Sequence, residues 1–166
     1  MSAQSKVLIT GASSGIGSVY ADRFAQRGHN LILVARDTNR LDKISKDLQE
    51  KYGVQVEFIQ ADLSNDQDIS KIEDVLKNDA DIEILVNNAG IALNGTFLTQ
   101  DIKDIEKLIT LNMTAVVRLS HAISQSLIHK GKGAIINLGS VLGLAPELGS
   151  TIYGASKSFI QFFSQG

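Results

Sequence analysis

At 166 residues, with 43% apolar and 20% charged side chains, the chain has enough material for one domain with a substantial core and the balance of a soluble globular protein. A formal charge of −2 without any lysine- or arginine-rich run excludes a nucleic-acid grip. No apolar stretch is long enough to span a bilayer, and the polar start Met1–Lys6 is no secretory signal.

Cysteine is absent, which excludes disulfides and thiolate chemistry. His29, His121 and His129 stand in no metal-ligating spacing, so no metal is expected, and the cytoplasm is the expected compartment.

Strand-like and helix-like segments then alternate along the chain. Lys6 to Thr10 reads as a buried strand, and it runs directly into Thr10-Gly11-Ala12-Ser13-Ser14-Gly15-Ile16-Gly17. A strand, three glycines and a helix present backbone N–H groups to a pyrophosphate, with the helix N-terminus adding partial positive charge. Gly11 permits the turn, Gly15 allows a ligand to approach the backbone, and Gly17 lets the helix pack closely. Ser13, Ser14 and Ile16 complete this candidate loop. Its spacing, Gly-x-x-x-Gly-x-Gly, departs from the common Gly-x-Gly-x-x-Gly fingerprint and is weak evidence alone; a glycine loop without ligand would look the same.

The following helix carries Ile16, Val19, Tyr20 and Phe24 at helical spacing and stops near Gly28. Leu31 to Val34 is a continuous apolar run, as in a strand buried on both faces. Leu41, Ile44, Leu48 and Tyr52 mark a second helix, and Val54 to Ile59 a third strand. Ser64 with Gln67 reads as a capping box opening a third helix that buries Ile69, Ile72, Val75 and Leu76. Ile82 to Val86 is a fourth strand. One long helix is expected from about Ile102 through Leu127, then a fifth strand from Ala134 to Leu138. The single proline, Pro146, falls in the loop after it, and a last helix from Ser150 or Thr151 reaches the chain end. This alternation predicts an α/β fold: a Rossmann-like, doubly wound parallel sheet with helices on both faces. Ligands in such sheets bind beyond the carboxyl ends of the strands, where Gly11–Ser14, Arg36-Asp37, Asp62-Leu63, Asn87–Gly90 and Gly139-Ser140 fall.

Tyr153 and Lys157, four apart on the last helix, share a face. A free tyrosine, with a pKa of about 10, is a poor acid near neutrality, and a neighbouring ammonium favours its phenolate. Ser140 is placed to donate to a substrate oxygen. Tyr-x-x-x-Lys alone equally describes a helix surface pair.

Taken together, the glycine loop, Asn87-Asn88-Ala89-Gly90, Asn112 in Leu111-Asn112-Met113-Thr114, Ser140, and Tyr153-Gly154-Ala155-Ser156-Lys157 resemble the classical short-chain dehydrogenase/reductase family. The resemblance runs from Lys6 to the end of the chain. It implies hydride transfer between a nicotinamide cofactor and a carbonyl or secondary alcohol. Tyr153 would be the general acid or base, and Lys157 would tune it and hold the nicotinamide ribose. Ser140 would polarise the substrate oxygen, and Asn112 would hold a water linking Lys157 to solvent. Asp62 and Leu63 resemble the adenine-contacting pair, and Asn88, Ala89 and Gly90 the segment beside the adenosine ribose. Asp62 also reads as a carboxylate at a helix start, Asn88 as a loop-stabilising amide, and Asn112 as a satisfied helical asparagine.

At the end of the second strand an NAD enzyme places an acid; here Ala35 stands there and Arg36 follows. A forked guanidinium pairs with a 2′-phosphate, which favours NADP(H) over NAD(H). Against this, Asp37 could reach the ribose, and Ser14 stands where many NADP-preferring relatives carry a second base. The expected partners are a small carbonyl or alcohol and, by the resemblance, a second copy of the chain in a homo-oligomer. Members of the family continue with further strands and substrate-covering helices. The chain is therefore expected to be one dinucleotide-binding domain over 1–166, C-terminally incomplete relative to the family. A non-catalytic dinucleotide-binding module, or an inactive fragment of such an enzyme, is the alternative.

Overall fold

The computed structural model describes residues 5–93, 95–145 and 148–165. The element order is β1 (Lys6–Thr10), α1 (Gly15–Gln26), β2 (Asn30–Ala35), α2 (Thr38–Tyr52), β3 (Val56–Gln60), α3 (Asp66–Asn78) and β4 (Ile82–Asn87). It continues with α4 (Ile102–Ile109), α5 (Ala115–Lys130), β5 (Ala134–Asn137) and α6 (Thr151–Phe163). The strands form one parallel sheet in the order β3-β2-β1-β4-β5. The chain thus winds outward from β1 in one direction and then returns to wind outward in the other, leaving the switch between β1 and β4.

The continuous apolar strands are explained by what covers them. Val7, Ile9, Leu31, Leu33 and Val86 face one way, against Ala21 and Ala25 of α1 and Leu41 and Leu48 of α2. Leu8, Ile32, Val34 and Leu85 face the other way, against Ile69, Ile72 and Leu76 of α3 and Leu119 and Ile123 of α5. Neither face of the central strands meets water, so no polar alternation is possible along them.

Three expectations need correction. Helix α3 is not opened by Ser64 and Gln67. Its N-cap is Asn65, whose side chain accepts from Asp68 N–H at 2.9 Å, while the Ser64 hydroxyl donates to Asp62 at 2.6 Å. An asparagine one place on caps equally well, and Asp62 claims the serine. The third strand is shifted to Val56–Gln60: Gln55 N–H is diverted to the Asn30 side chain at 2.9 Å, while its carbonyl accepts from Leu31 N–H. The expected long helix is broken by a π-helical turn at Thr110–Thr114, so α4 and α5 are out of helical phase with each other. Pro146 lies outside the described residues.

Helices α3 and α5 are also joined electrostatically. Arg118 on α5 donates Nε to Glu73 Oε1 at 3.1 Å and Nη2 to Ser70 Oγ at 2.9 Å, and it pairs with Glu73 Oε2 and Asp66. The hydrogen bond from Arg118 is the main reason that the Glu73 carboxyl titrates below its ordinary 4.5. We expect Arg118→Ala to lower the stability to urea by about 2 kcal/mol at pH 7, as a charge-assisted pair is lost. The sign with pH follows from the depressed value. Glu73 contributes fully above its unfolded-state pKa and loses that contribution as pH falls through its folded-state value. The gap between Arg118→Ala and the parent chain therefore narrows below about pH 4.

Candidate active site

The glycine-rich loop after β1 is shaped by contacts with the loop after β4. Thr10 Oγ1 donates to Val86 C=O at 3.2 Å and accepts the N–H groups of Asn88 and Ala89, both at 3.0 Å. The Asn88 amide in turn donates to the carbonyls of Thr10 and Gly11, at 2.9 and 3.1 Å. This close crossing explains two of the glycines. A Cβ on Gly11, whose φ is +65°, would stand 2.7 Å from Asn88 Nδ2 and 2.9 Å from Ala89 Cα. A Cβ on Gly17 would collide with the Gly11 carbonyl and stand 2.5 Å from Asn88 Nδ2. Gly17 therefore packs against the loop itself rather than only against the sheet. Gly15 instead faces open space, as a ligand-facing position requires, and the Ser14 side chain does not cap α1, which leaves that helix end free for an anion.

From here a groove of about 810 Å³ runs over the ends of β1, β2 and β4. It is lined by Gly11, Ser13, Ser14, Ile16, Arg36, Asp62, Leu63, Asn88, Ala89 and Gly90 from the expected set, joined by Asp37, Arg40, Ile91 and Leu111. At its β2 end the carboxylate of Asp37 is already engaged. It caps α2 by accepting from Arg40 N–H at 3.0 Å and holds the Arg40 guanidinium at 3.3 Å. Arg36 is 63% exposed in its side chain and 4.0 Å from Asp62, so most of its donors face the groove mouth and solvent. Partial burial raises the Asp62 pKa, but the Ser64 hydroxyl and N–H, with Arg36, outweigh this and hold the carboxyl below its ordinary value.

Gly90 joins this groove to the second cluster. A Cβ there would lie 3.1 Å from Asn112 Oδ1 and 3.9 Å from Lys157 Nζ. Asn112, 1% exposed, sits in the π-helical turn. Its Oδ1 accepts from Ile91 N–H at 3.0 Å, and its Nδ2 donates to Ile91 C=O at 2.9 Å and to Ser156 Oγ at 3.2 Å. Ser156 passes its own proton to Tyr153 C=O at 2.7 Å. Both donors of the Asn112 amide are thus consumed by protein. Lys157 donates to Leu138 C=O at 2.6 Å, and its Nζ lies 5.8 Å from the Tyr153 ring centre. Burial pushes the Lys157 ammonium below the usual lysine range. Ser140 caps a short 3₁₀ turn, Val141–Gly143, by accepting Leu142 N–H at 3.2 Å, so its hydroxyl proton remains available.

Sequence reasoning singled out Asn112, Ser140, Tyr153 and Lys157, and one side of α6 together with the segments it touches carries them. It did not single out Thr10, Ser156 or Arg40. Arg40 had a signal, standing one helical turn beyond Arg36. The hydroxyls of Thr10 and Ser156 had none, because Val86, Asn88 and Ala89, which Thr10 bonds, and Asn112, which donates to Ser156, lie far away in sequence. The asparagine Asn87 was read only as part of a motif; its amide binds Ser120 Oγ at 3.0 Å and Asn137 Oδ1 at 2.9 Å, joining β4 to α5 and β5.

The sequence profile of the short chain dehydrogenase family matches residues 5–166. The chain belongs to this family. Within it, a short-chain dehydrogenase from Sphingobium yanoikuyae, solved with NADPH, is 54% identical and superposes with a TM-score of 0.96, over 98% of this chain and 63% of that one. The bulky-bulky ketone specific alcohol dehydrogenase of Comamonas testosteroni is 51% identical, also at a TM-score of 0.96, over 98% and 65%. A very-long-chain 3-oxoacyl-CoA reductase from Bos taurus is 35% identical over 95% of this chain and 52% of its own length. This short-chain dehydrogenase chain therefore spans about half the length of the curated relatives it matches. Among its described residues no helix is long and apolar enough to cross a membrane, and no group of three acidic, histidine or cysteine side chains is gathered to hold a metal.

Proposed function

We propose that the chain provides the cofactor groove and the proton-handling residues for NADP(H)-dependent hydride transfer between the nicotinamide and a bulky, apolar ketone or its secondary alcohol. One observation carries this: Gly90 lines the groove, a Cβ on it would lie 3.1 Å from Asn112 Oδ1 and 3.9 Å from Lys157 Nζ, and Asn112 is linked through Ser156 to the Tyr153 carbonyl. A groove that only bound a dinucleotide would not need a buried lysine with its Nζ 5.8 Å from the centre of a tyrosine ring.

The cradle fits the cofactor: open space at Gly15, an uncapped α1 N-terminus and the long groove suit a pyrophosphate. The bound cofactor supplies the hydride. Ser140 donates to the substrate oxygen, its lone pair being held by Leu142 N–H. Tyr153 delivers the proton to that oxygen on reduction and takes it back on oxidation. Lys157, poorly solvated and anchored to Leu138 C=O, holds its charge 5.8 Å from the centre of the Tyr153 ring. Since the Asn112 amide is spent on Ile91 and Ser156, its part in a proton relay is to hold the peptide groups around Lys157 in place.

Substrate class follows from the rim. Phe97, Leu98, Val141, Leu144 and Leu148 are exposed large apolar side chains on the segments that precede α4 and α6. These loops approach one another where a Cβ on Gly149 would stand 3.6 Å from Gly95 C=O. Residues 88–102 and 138–156 contain no lysine or arginine, and Lys157, which follows, is buried and bonded to Leu138 C=O, so these segments offer little to favour an anionic substrate. The Comamonas enzyme's bulky ketones and the NADPH of the Sphingobium structure support the reading.

The test is loss of NADPH absorbance with propiophenone, decan-5-one, a hexose and a short 2-oxo acid. Turnover confined to the two apolar ketones is expected. Tight NADPH binding with no turnover of any carbonyl would instead make the chain a binding module. For the cofactor, we expect Arg36→Ala to weaken NADPH about 30-fold by titration calorimetry and to leave NADH within about twofold. That corresponds to about 2 kcal/mol for charge-assisted bonds to one phosphate. An equal loss for both dinucleotides would refute the assignment of Arg36 to the 2′-phosphate.

A further inference from the structure

Ser140 and Tyr153 sit on different segments, and their separation must be fixed for one substrate oxygen to meet both. The 3₁₀ turn that Ser140 caps lies on α6 with backbone against backbone. A Cβ on Gly143 would stand 2.7 Å from Lys157 C and 2.9 Å from Ser158 N, and one on Gly154 would stand 3.0 Å from Leu142 O. One side chain bolts the two together: Ser158 Oγ donates to Gly143 C=O at 2.6 Å.

The direction of that bond is informative. Serines within helices often donate back to the carbonyl three or four residues earlier, although Ser45 of α2 reaches Val56 C=O. Ser124 does so, to Ser120 C=O at 2.7 Å, and so does Ser164 at the end of α6, to Ile160 C=O at 2.7 Å. Ser158 leaves its own helix and reaches the neighbouring turn. We infer that Ser158 is a positioning residue: its bond to Gly143 sets the Ser140 hydroxyl relative to the Tyr153 phenol, so that it acts on the reaction through Ser140. The inference rests on the hydride-transfer reading above, in which Ser140 and Tyr153 share one substrate oxygen.

The test is a double-mutant cycle on the whole chain with NADPH and propiophenone. Ser158→Ala should lower kcat about tenfold, within the range a misplacement of about 1 Å produces, with the Kd for NADPH unchanged. Ser158→Thr, which keeps the hydroxyl, should restore most of the rate. Placed in a Ser140→Ala background, Ser158→Ala should change kcat by less than about twofold, since the group it positions is gone. The same tenfold loss in both backgrounds would overturn the inference, as would a Ser158→Ala enzyme equal to the parent. Hydrogen exchange reads the bond without turnover. The amides of Leu142, Gly143, Leu144 and Ala145, bonded within the turn, should exchange faster in Ser158→Ala, and unchanged rates would also overturn it. Full activity of Ser140→Ala would overturn the inference by removing Ser140 from the reaction, whereas no turnover by the parent chain would sink the underlying hydride-transfer reading, a separate and distinguishable failure.

Discussion

Tyr153→Phe is expected to reduce ketone turnover about 1,000-fold while leaving NADPH affinity within about twofold. The substitution removes one oxygen and keeps the ring. In the structure the backbone of Tyr153 is tied to Ser156 and its ring lies 5.8 Å from Lys157 Nζ, so the helix and its contacts persist. What disappears is the phenolic proton that the proposed mechanism delivers to the substrate oxygen. General acid catalysis by one positioned group is worth roughly 10²- to 10⁴-fold, and the expected loss sits in that range. Steady-state kinetics alongside calorimetric NADPH binding separates the two quantities. A fall in affinity equal to the fall in rate would show that Tyr153 holds the cofactor rather than moves a proton. An unchanged rate would remove it from the mechanism.

The second large effect is expected from Gly17→Ala. The added methyl would meet the Gly11 carbonyl, Gly11 C at 2.9 Å and the Asn88 amide at 2.5 Å. Two of these are backbone atoms of a loop pinned by Thr10 and Asn88, so there is no flexible end to swing aside. Overpacking of this kind costs about 3 kcal/mol, or a melting temperature lower by roughly 10 °C in a chain of this size. Relief by pushing the loop outward would also spoil the cradle, so NADPH affinity should fall about 100-fold. Gly15→Ala is the control. Its methyl would enter open space, and its only structural cost is a left-handed backbone, about 1 kcal/mol. Equal destabilisation by the two substitutions would show that the crowding at Gly17 is not what matters.

The contrast between those two glycines shows where the sequence was legible. The strand–glycine–helix pattern announced the turn between β1 and α1 and the close packing at Gly17, because both are local properties of eight consecutive residues. That Gly17 is crowded by Asn88, some 70 residues away, is what no local pattern carries. The fold class was legible for a related reason. Runs such as Leu31–Val34 and the helical spacing of Leu41, Ile44 and Leu48 report burial directly. The π-helical turn at Thr110–Thr114 was not, since its residues continue the apolar periodicity of a plain helix. Only the amide of Asn112, held by Ile91 and Ser156, shows what the irregular turn presents. The cap of α3 was missed by one residue because Ser64 and Asn65 are both good caps, and the choice was made by Asp62. Helical spacing put Tyr153 and Lys157 on one face, but the aim of Ser158 across to Gly143 belongs to two segments at once.

The hydrogen bonds that define the phosphate loop join residues 78 and 79 positions apart, and those around Asn112 span 21 and 44. These parts of the site depend on distant pairings, which require β1 and β4 to be side by side in the sheet. A ligand seated there engages the native state alone. At a concentration 100-fold above its Kd it would add about 2.7 kcal/mol to stability, comparable to the cost of a poorly tolerated substitution. Occupancy of the groove and persistence of the fold are in this sense one equilibrium, and a change in the ratio of free to bound dinucleotide would register as a change in how long the chain stays folded.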